Sequence, residues 1–123
     1  FHPERLIQFY KDSIATGQTI STKGLAAMKS KADAARKKYM ELFENIDVIL
    51  TLSSGDEAPK GLGFTGDPLF NRVWTLLGWP CVNIPFGKGS NELPLGVQVI
   101  GPTGSDSKTL AAAAWLESVL LRK

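Results

Sequence analysis

The sequence holds one cysteine, Cys81, and one histidine, His2. A lone cysteine excludes an intrachain disulfide and fits a reducing compartment, so a cytoplasmic location is expected. A Ser-His-Asp or Cys-His mechanism would have to rest on His2 alone. One Cys and one His supply too few soft ligands for zinc, and no metal or other cofactor is expected. No apolar run approaches the roughly 18 to 20 residues that span a bilayer, and the opening residues lack a signal-peptide pattern. Charge is also scarce in either direction: fourteen Lys plus Arg against twelve Asp plus Glu give a formal net charge of +2. That balance carries no concentrated positive field, so neither nucleic acid nor an anionic membrane is expected as a partner. The first residue is Phe1 rather than methionine, which leads us to expect a piece of a longer chain.

What is present suits a folded domain. The 123 residues are 43% hydrophobic and 21% charged, enough for one compact unit over residues 1–123 and against disorder. Pro3 and Glu4 favour a first helix ending by Gly17. Ser21 or Thr22 can cap a second, whose stripe of Leu25, Met28, Ala32, Ala35, Tyr39, Leu42 and Ile46 predicts roughly 23 to 25 helical residues packed on a sheet or a neighbouring helix. Asp47 to Thr51 is unbroken and apolar, as in a strand buried on both faces of a parallel sheet. Residues 52–68 are rich in Gly, Pro, Ser and Asp and form a long loop, a common place for function. Residues 70–77 regain helical spacing and stop at Gly78. Residues 81–84 and 95–100 read as two strands, antiparallel across a turn-rich link. A last helix, capped by Ser105 or Asp106, is expected over 107–121. It is apolar around most of its circumference, which calls for burial on more than one side, through a larger context or through self-association.

The chemistry-bearing candidates are few. Ser53-Ser54-Gly55 with Lys60 downstream has the residue types of a lysine-activated serine, but Asp56 and Glu57 favour the protonated lysine, and serine pairs are common in loops. Gly61-Leu62-Gly63 lacks the spacing of a phosphate loop. Cys81, between Pro80 and Val82 at the head of an apolar strand, reads as a small buried hydrophobe. Asp67 to Thr75 alternates aromatic and polar residues where a long loop meets a helix, which fits either a pocket wall or an ordinary helix facing the core.

Several of these stretches, taken in order, resemble one family. Asp47-Val48-Ile49-Leu50-Thr51 is followed by Ala58-Pro59 and by Thr65 to Pro85, which contains Gly78-Trp79-Pro80 running into Val82-Asn83-Ile84-Pro85. Leu93-Pro94-Leu95-Gly96-Val97-Gln98 then closes the series. Together they resemble the C-terminal part of the amidase signature family, and Gly17 to Ser21 and the Ala-rich last helix fit it too. The resemblance implies an α/β fold, a mixed sheet flanked by helices, with about three strands and four helices in this part. It implies hydrolysis of carboxylic amides to acid and ammonia or amine by a Ser-Ser-Lys triad that lies upstream of these residues, so this chain alone is expected to be inactive. By the same resemblance Phe70, Asn71 and Trp74 are the expected substrate-facing residues. The partners would be a small-molecule amide and the missing N-terminal part of the same enzyme, with a homo-oligomer as a further possibility. The competing expectation is a non-enzymatic α/β module that binds a partner or dimerises through its apolar helix.

Overall fold

The computed structural model describes Glu4 and residues 6–120. His2, Pro3 and the expected end of the last helix at Leu121 lie outside the described residues. The chain divides into two compact units, Phe1–Ala34 and Ala35–Lys123, and the site discussed below lies within the second.

The first helix, α1, is Gln8–Gln18, so it begins later than the Pro3-Glu4 pattern predicts and runs through Gly17. The second, α2, is Thr22–Tyr39, with Ser21 Oγ accepting the Gly24 N–H at 3.1 Å as an N-cap. The stripe predicts a longer helix than forms. Arg36, Lys37 and Lys38 fill the last turn of α2, where cations suit the helix dipole, and the chain then tightens into a 3-10 helix over Met40–Glu44. The ring of Phe43, in that tightened segment, meets Trp79 edge-on at 4.9 Å. Leu25, Met28, Tyr39, Leu42 and Ile46 of the stripe are exposed among the described residues.

Three strands follow, β1 (Ile49–Leu52), β2 (Cys81–Lys88) and β3 (Pro94–Ile100), in the spatial order β1-β3-β2. Both pairings are antiparallel, so β1 is an edge strand and not the doubly buried parallel strand that its composition predicts. With β3 as its one strand neighbour among the described residues, β1 alternates half-buried Ile49 and Thr51 with exposed Leu50 and Leu52. The link between β2 and β3 is the expected antiparallel turn.

Side-chain alternation along β3 divides the core between the two sheet faces. Val99, with Ile84 and the partly buried Val82 and Val97, packs on Ala112, Ala113, Leu116 and Leu120 of α4 (Asp106–Leu120). Ile100 joins Leu77 and Trp79, and Ile49, Phe43, Ala35 and Trp74 pack against them. Complete burial of side chains such as Ile100 and Val99 contributes about 1.5 to 3 kcal/mol each. The result is an α/β arrangement with four α-helices and a three-stranded antiparallel sheet among the described residues. Among the described residues one side of α4 is covered, and Leu110, Trp115 and Val119 on its other side are exposed.

Helix α3 (Leu69–Leu77) carries the site, and both its ends are fixed. Asp67 Oδ1 accepts the Leu69 N–H at 2.9 Å ahead of its first turn. At its C-terminus Gly78 takes φ 69°, the Trp79 N–H donates to Trp74 O at 3.0 Å, and the Arg36 guanidinium donates to Leu76 O at 2.7 and 3.1 Å. An added Cβ at Gly78 would meet nothing within 4 Å, so only its backbone conformation resists substitution. Gly78→Ala is therefore expected to lower stability by about 1 kcal/mol without disturbing packing, readable as a lower urea midpoint at unchanged m-value.

Candidate functional site

Loop 53–68 leaves the end of β1 and returns at α3, and it encloses an open cavity of about 660 Å³. Ser53, Ser54, Gly55, Asp56, Glu57, Ala58 and Pro59 line one part of it; Phe64 to Pro68, Asn71 and Pro94 line the rest. The walls therefore mix proline and phenylalanine surface with carboxylates, hydroxyls and one amide.

Each end of the loop is tied to β3. The Ser53 N–H and Ser53 Oγ both donate to Gly96 O, at 3.2 and 2.8 Å. A Cβ at Gly96 would run into Asn83 Oδ1 and come within 2.8 Å of Ser53 Oγ, so a side chain there would have to displace both. Gln98, 2% exposed, turns its amide toward the same region. Its Nε2 donates to Leu52 O at 2.9 Å and to Phe70 O at 2.8 Å. One buried amide thus bridges the residue before the loop and the first turn of the helix after it.

The middle of the loop is held by Glu57, which is 8% exposed. Its carboxylate accepts the Asn91 N–H at 2.9 and 3.1 Å and Asn91 Nδ2 at 2.7 Å, fastening the loop to the β2–β3 turn. Ser54 Oγ donates to Asp56 O at 2.8 Å. Both loop serines therefore direct their hydroxyl protons to backbone carbonyls, and neither hydroxyl is hydrogen-bonded to a side-chain base. Among the described residues no group of three or more His, Cys, Asp and Glu is placed to hold a metal ion.

The three residues expected to face substrate are separated by the helix. Asn71 borders the cavity, and its Nδ2 donates to Ser53 O at 3.2 Å. Phe70 is half-buried behind the loop, its ring 3.5 Å from where a Cβ on Gly55 would stand. Trp74, one turn on, stacks on Trp79 at 5.6 Å and 13° and packs against the core. Cys81 departs from its sequence reading: it is exposed, because it opens the edge strand β2. Partial burial still pushes its thiol pKa up.

Gln98, Glu57 and Asn91 received no role from sequence reasoning. The signal for Gln98 was available, since a polar residue within Leu95-Gly96-Val97-Gln98-Val99-Ile100 stands out in an otherwise apolar strand. For Glu57 and Asn91 there was none, because their pairing spans 34 positions between two irregular segments.

Comparison with known proteins gives a consistent picture. The family model described as Amidase matches residues 1–110. A glutamyl-tRNA(Gln) amidotransferase subunit from Alkaliphilus metalliredigens is 39% identical over 106 residues, covering 76% of this chain and 21% of that protein. Fatty acid amide hydrolase of Medicago truncatula is 28% identical over 121 residues, covering 89% of this chain and 20% of that protein. A crystal structure of an amidase superposes on 97% of this chain and 30% of its own, with a TM-score of 0.84 and 26% identity. The chain spans about a quarter or less of the length of these curated relatives.

Proposed function

We propose, from the premise that this chain belongs to the amidase family, that it is the C-terminal portion of an enzyme hydrolysing carboxylic amides to acid and ammonia or amine. The observation that carries this reading is the superposition on the solved amidase over 97% of the chain. In the complete enzyme a serine supplied by the remainder of the protein attacks the amide carbon. A second serine and a lysine move the proton to the departing nitrogen. Residues 1–123 supply no part of that triad, a reading supported by Ser53 and Ser54, whose hydroxyls are committed to backbone carbonyls.

The chain's contribution is the cavity beneath loop 53–68. Phe64 and the prolines would exclude water from an apolar acyl group, while Asn71 braces the wall and meets the substrate's polar end. Phe70 and Trp74 act from behind Asn71, holding the wall in place and shaping the acyl side of the pocket. The partners are then a small-molecule amide and the rest of the same enzyme, working in a reducing compartment such as the cytoplasm. No helix among the described residues is long and apolar enough to cross a membrane.

The isolated chain is expected to turn over neither hexanamide nor benzamide. In the complete enzyme, Asn71→Ala should raise KM for at least one of them by about tenfold. Turnover by the isolated chain that survives alanine at Ser53, Ser54 and Lys60 would refute the missing triad. Unchanged steady-state constants on alanine substitution of Phe70, Asn71 and Trp74 would refute the pocket.

A further inference from the structure

We infer that Glu57 and Asn91 form a clasp that closes loop 53–68 over the cavity and thereby sets how tightly the cavity holds its ligand. Between Ser54 and Gly66, Glu57 is the only described residue that hydrogen-bonds to another element of the fold. The segment's other bonds are local, Ser54 Oγ to Asp56 O and the Glu57 N–H to Asp56 Oδ1. Removing the clasp leaves the loop fixed at its two ends and free between them.

The chemistry of the clasp gives it two states rather than a continuum. Glu57 is a buried carboxylate whose described partners are the two N–H donors of Asn91, and Lys88, the last residue of β2 before the turn, pairs with Glu92 at 3.1 Å instead. A carboxylate that loses those donors cannot stay buried without a large desolvation penalty. It must move into water and carry the loop with it. The turn is shaped for the closed state: a Cβ at Gly89 would overlap the Glu57 carboxylate, and Glu92 takes φ 62° to bring the chain round. Pro94, immediately after the turn, lines the same cavity, so opening the clasp separates two of its walls.

Glu57 and Asn91 are positioning residues here, and a polarity swap tests them. Glu57→Gln turns an amide N–H toward the Asn91 amide, and Asn91→Asp sets two carboxylates against each other. The double variant restores one donor facing one acceptor. Hydrogen exchange in the chain itself should show amides of residues 54–66 exchanging about tenfold faster in each single variant and returning to within about twofold of the original in the double, with β3 amides unchanged throughout. Additive acceleration in the double variant overturns the clasp, whatever the activity of the complete protein. The affinity arm rests on the amidase reading. In the complete enzyme acting on hexanamide, KM should rise in both singles by a larger factor than kcat falls, and recover in the double. Exchange that is rescued while KM never moves overturns the link to affinity. Absence of turnover in the unmodified complete enzyme would refute the amidase reading and leave exchange to decide the clasp.

Discussion

Gln98→Glu is expected to destabilise the chain by about 3 to 5 kcal/mol at neutral pH, as an uncompensated buried charge does, while Gln98→Leu costs only about 1 to 2 kcal/mol. The difference follows from which atoms surround the side chain. Gln98 is 2% exposed, and its Nε2 faces two acceptors, Leu52 O at 2.9 Å and Phe70 O at 2.8 Å. Leucine deletes two donations without introducing a conflict, and Leu52 O keeps a bond from Thr51 Oγ1 at 2.8 Å. Glutamate places negative oxygen against carbonyl oxygen in a buried site. Its carboxyl would therefore titrate above the ordinary value of about 4.3 when folded. The sign follows: the penalty is full above that raised value, fades as the pH falls from it towards about 4.3, and is gone below about 4.3, where folded and unfolded forms are both protonated. Urea unfolding of both variants at pH 7 and pH 4 checks this. A glutamate variant no weaker than the leucine variant at pH 7 would show that the amide does not face those carbonyls. Since whole domains are stable by only about 5 to 15 kcal/mol, the expected loss at pH 7 is a large share of the total.

The same residue shows what a linear reading of the sequence reaches. Helix α3, its stop at Gly78, strand β3 and the 53–68 loop are written in local patterns and formed within a residue of their expected limits, while β2, expected over 81–84, runs on to Lys88 as the antiparallel partner of β3. The misreadings share a cause. Strand β1 has the composition of a doubly covered strand, yet among the described residues it pairs only with β3, and no local signal says how many neighbours a strand will have. The stripe of α2 predicts uninterrupted helix, but Phe43 packs against Trp79 and the chain tightens after Tyr39. Helix α4 is not among them: its apolar surface calls for burial on more than one side through a larger context or self-association, and among the described residues its Trp115 side stays bare at 67% exposure. In the site, Asn71 was expected through the family resemblance rather than from its local pattern, and it borders the cavity. The hydrogen bonds that hold the loop, from Gln98 across 46 positions and from Glu57 across 34, connect segments with no common periodicity. Those links belong to tertiary geometry, which is where the pocket's shape is decided.

Gly101→Ala should be nearly as damaging as the glutamate substitution, at about 3 kcal/mol, although it adds one carbon and requires no unusual backbone. Gly101 is buried immediately after β3, where its N–H donates to Pro80 O at 3.0 Å. A Cβ there would overlap Thr109 Oγ1 and Ser105 Oγ and lie 3.2 Å from Thr109 Cβ. Neither hydroxyl can swing aside without cost. Thr109 is 0% exposed and donates to Ser105 O at 3.0 Å, the two hydroxyls lie 3.1 Å apart, and Ser105 Oγ donates to Pro102 O at 2.6 Å. The added methyl must therefore push α4 away from the end of β3, opening the interface where Val99 and Ile84 meet Ala113. Truncating the obstacle tests the cause. Thr109→Ala alone loses its hydrogen bonds and costs about 1 kcal/mol, while the Gly101→Ala, Thr109→Ala pair should be less destabilised than the sum of the singles by about 1 kcal/mol or more. Strict additivity in urea unfolding would mean that the contact with Thr109 is not what forbids a side chain at position 101.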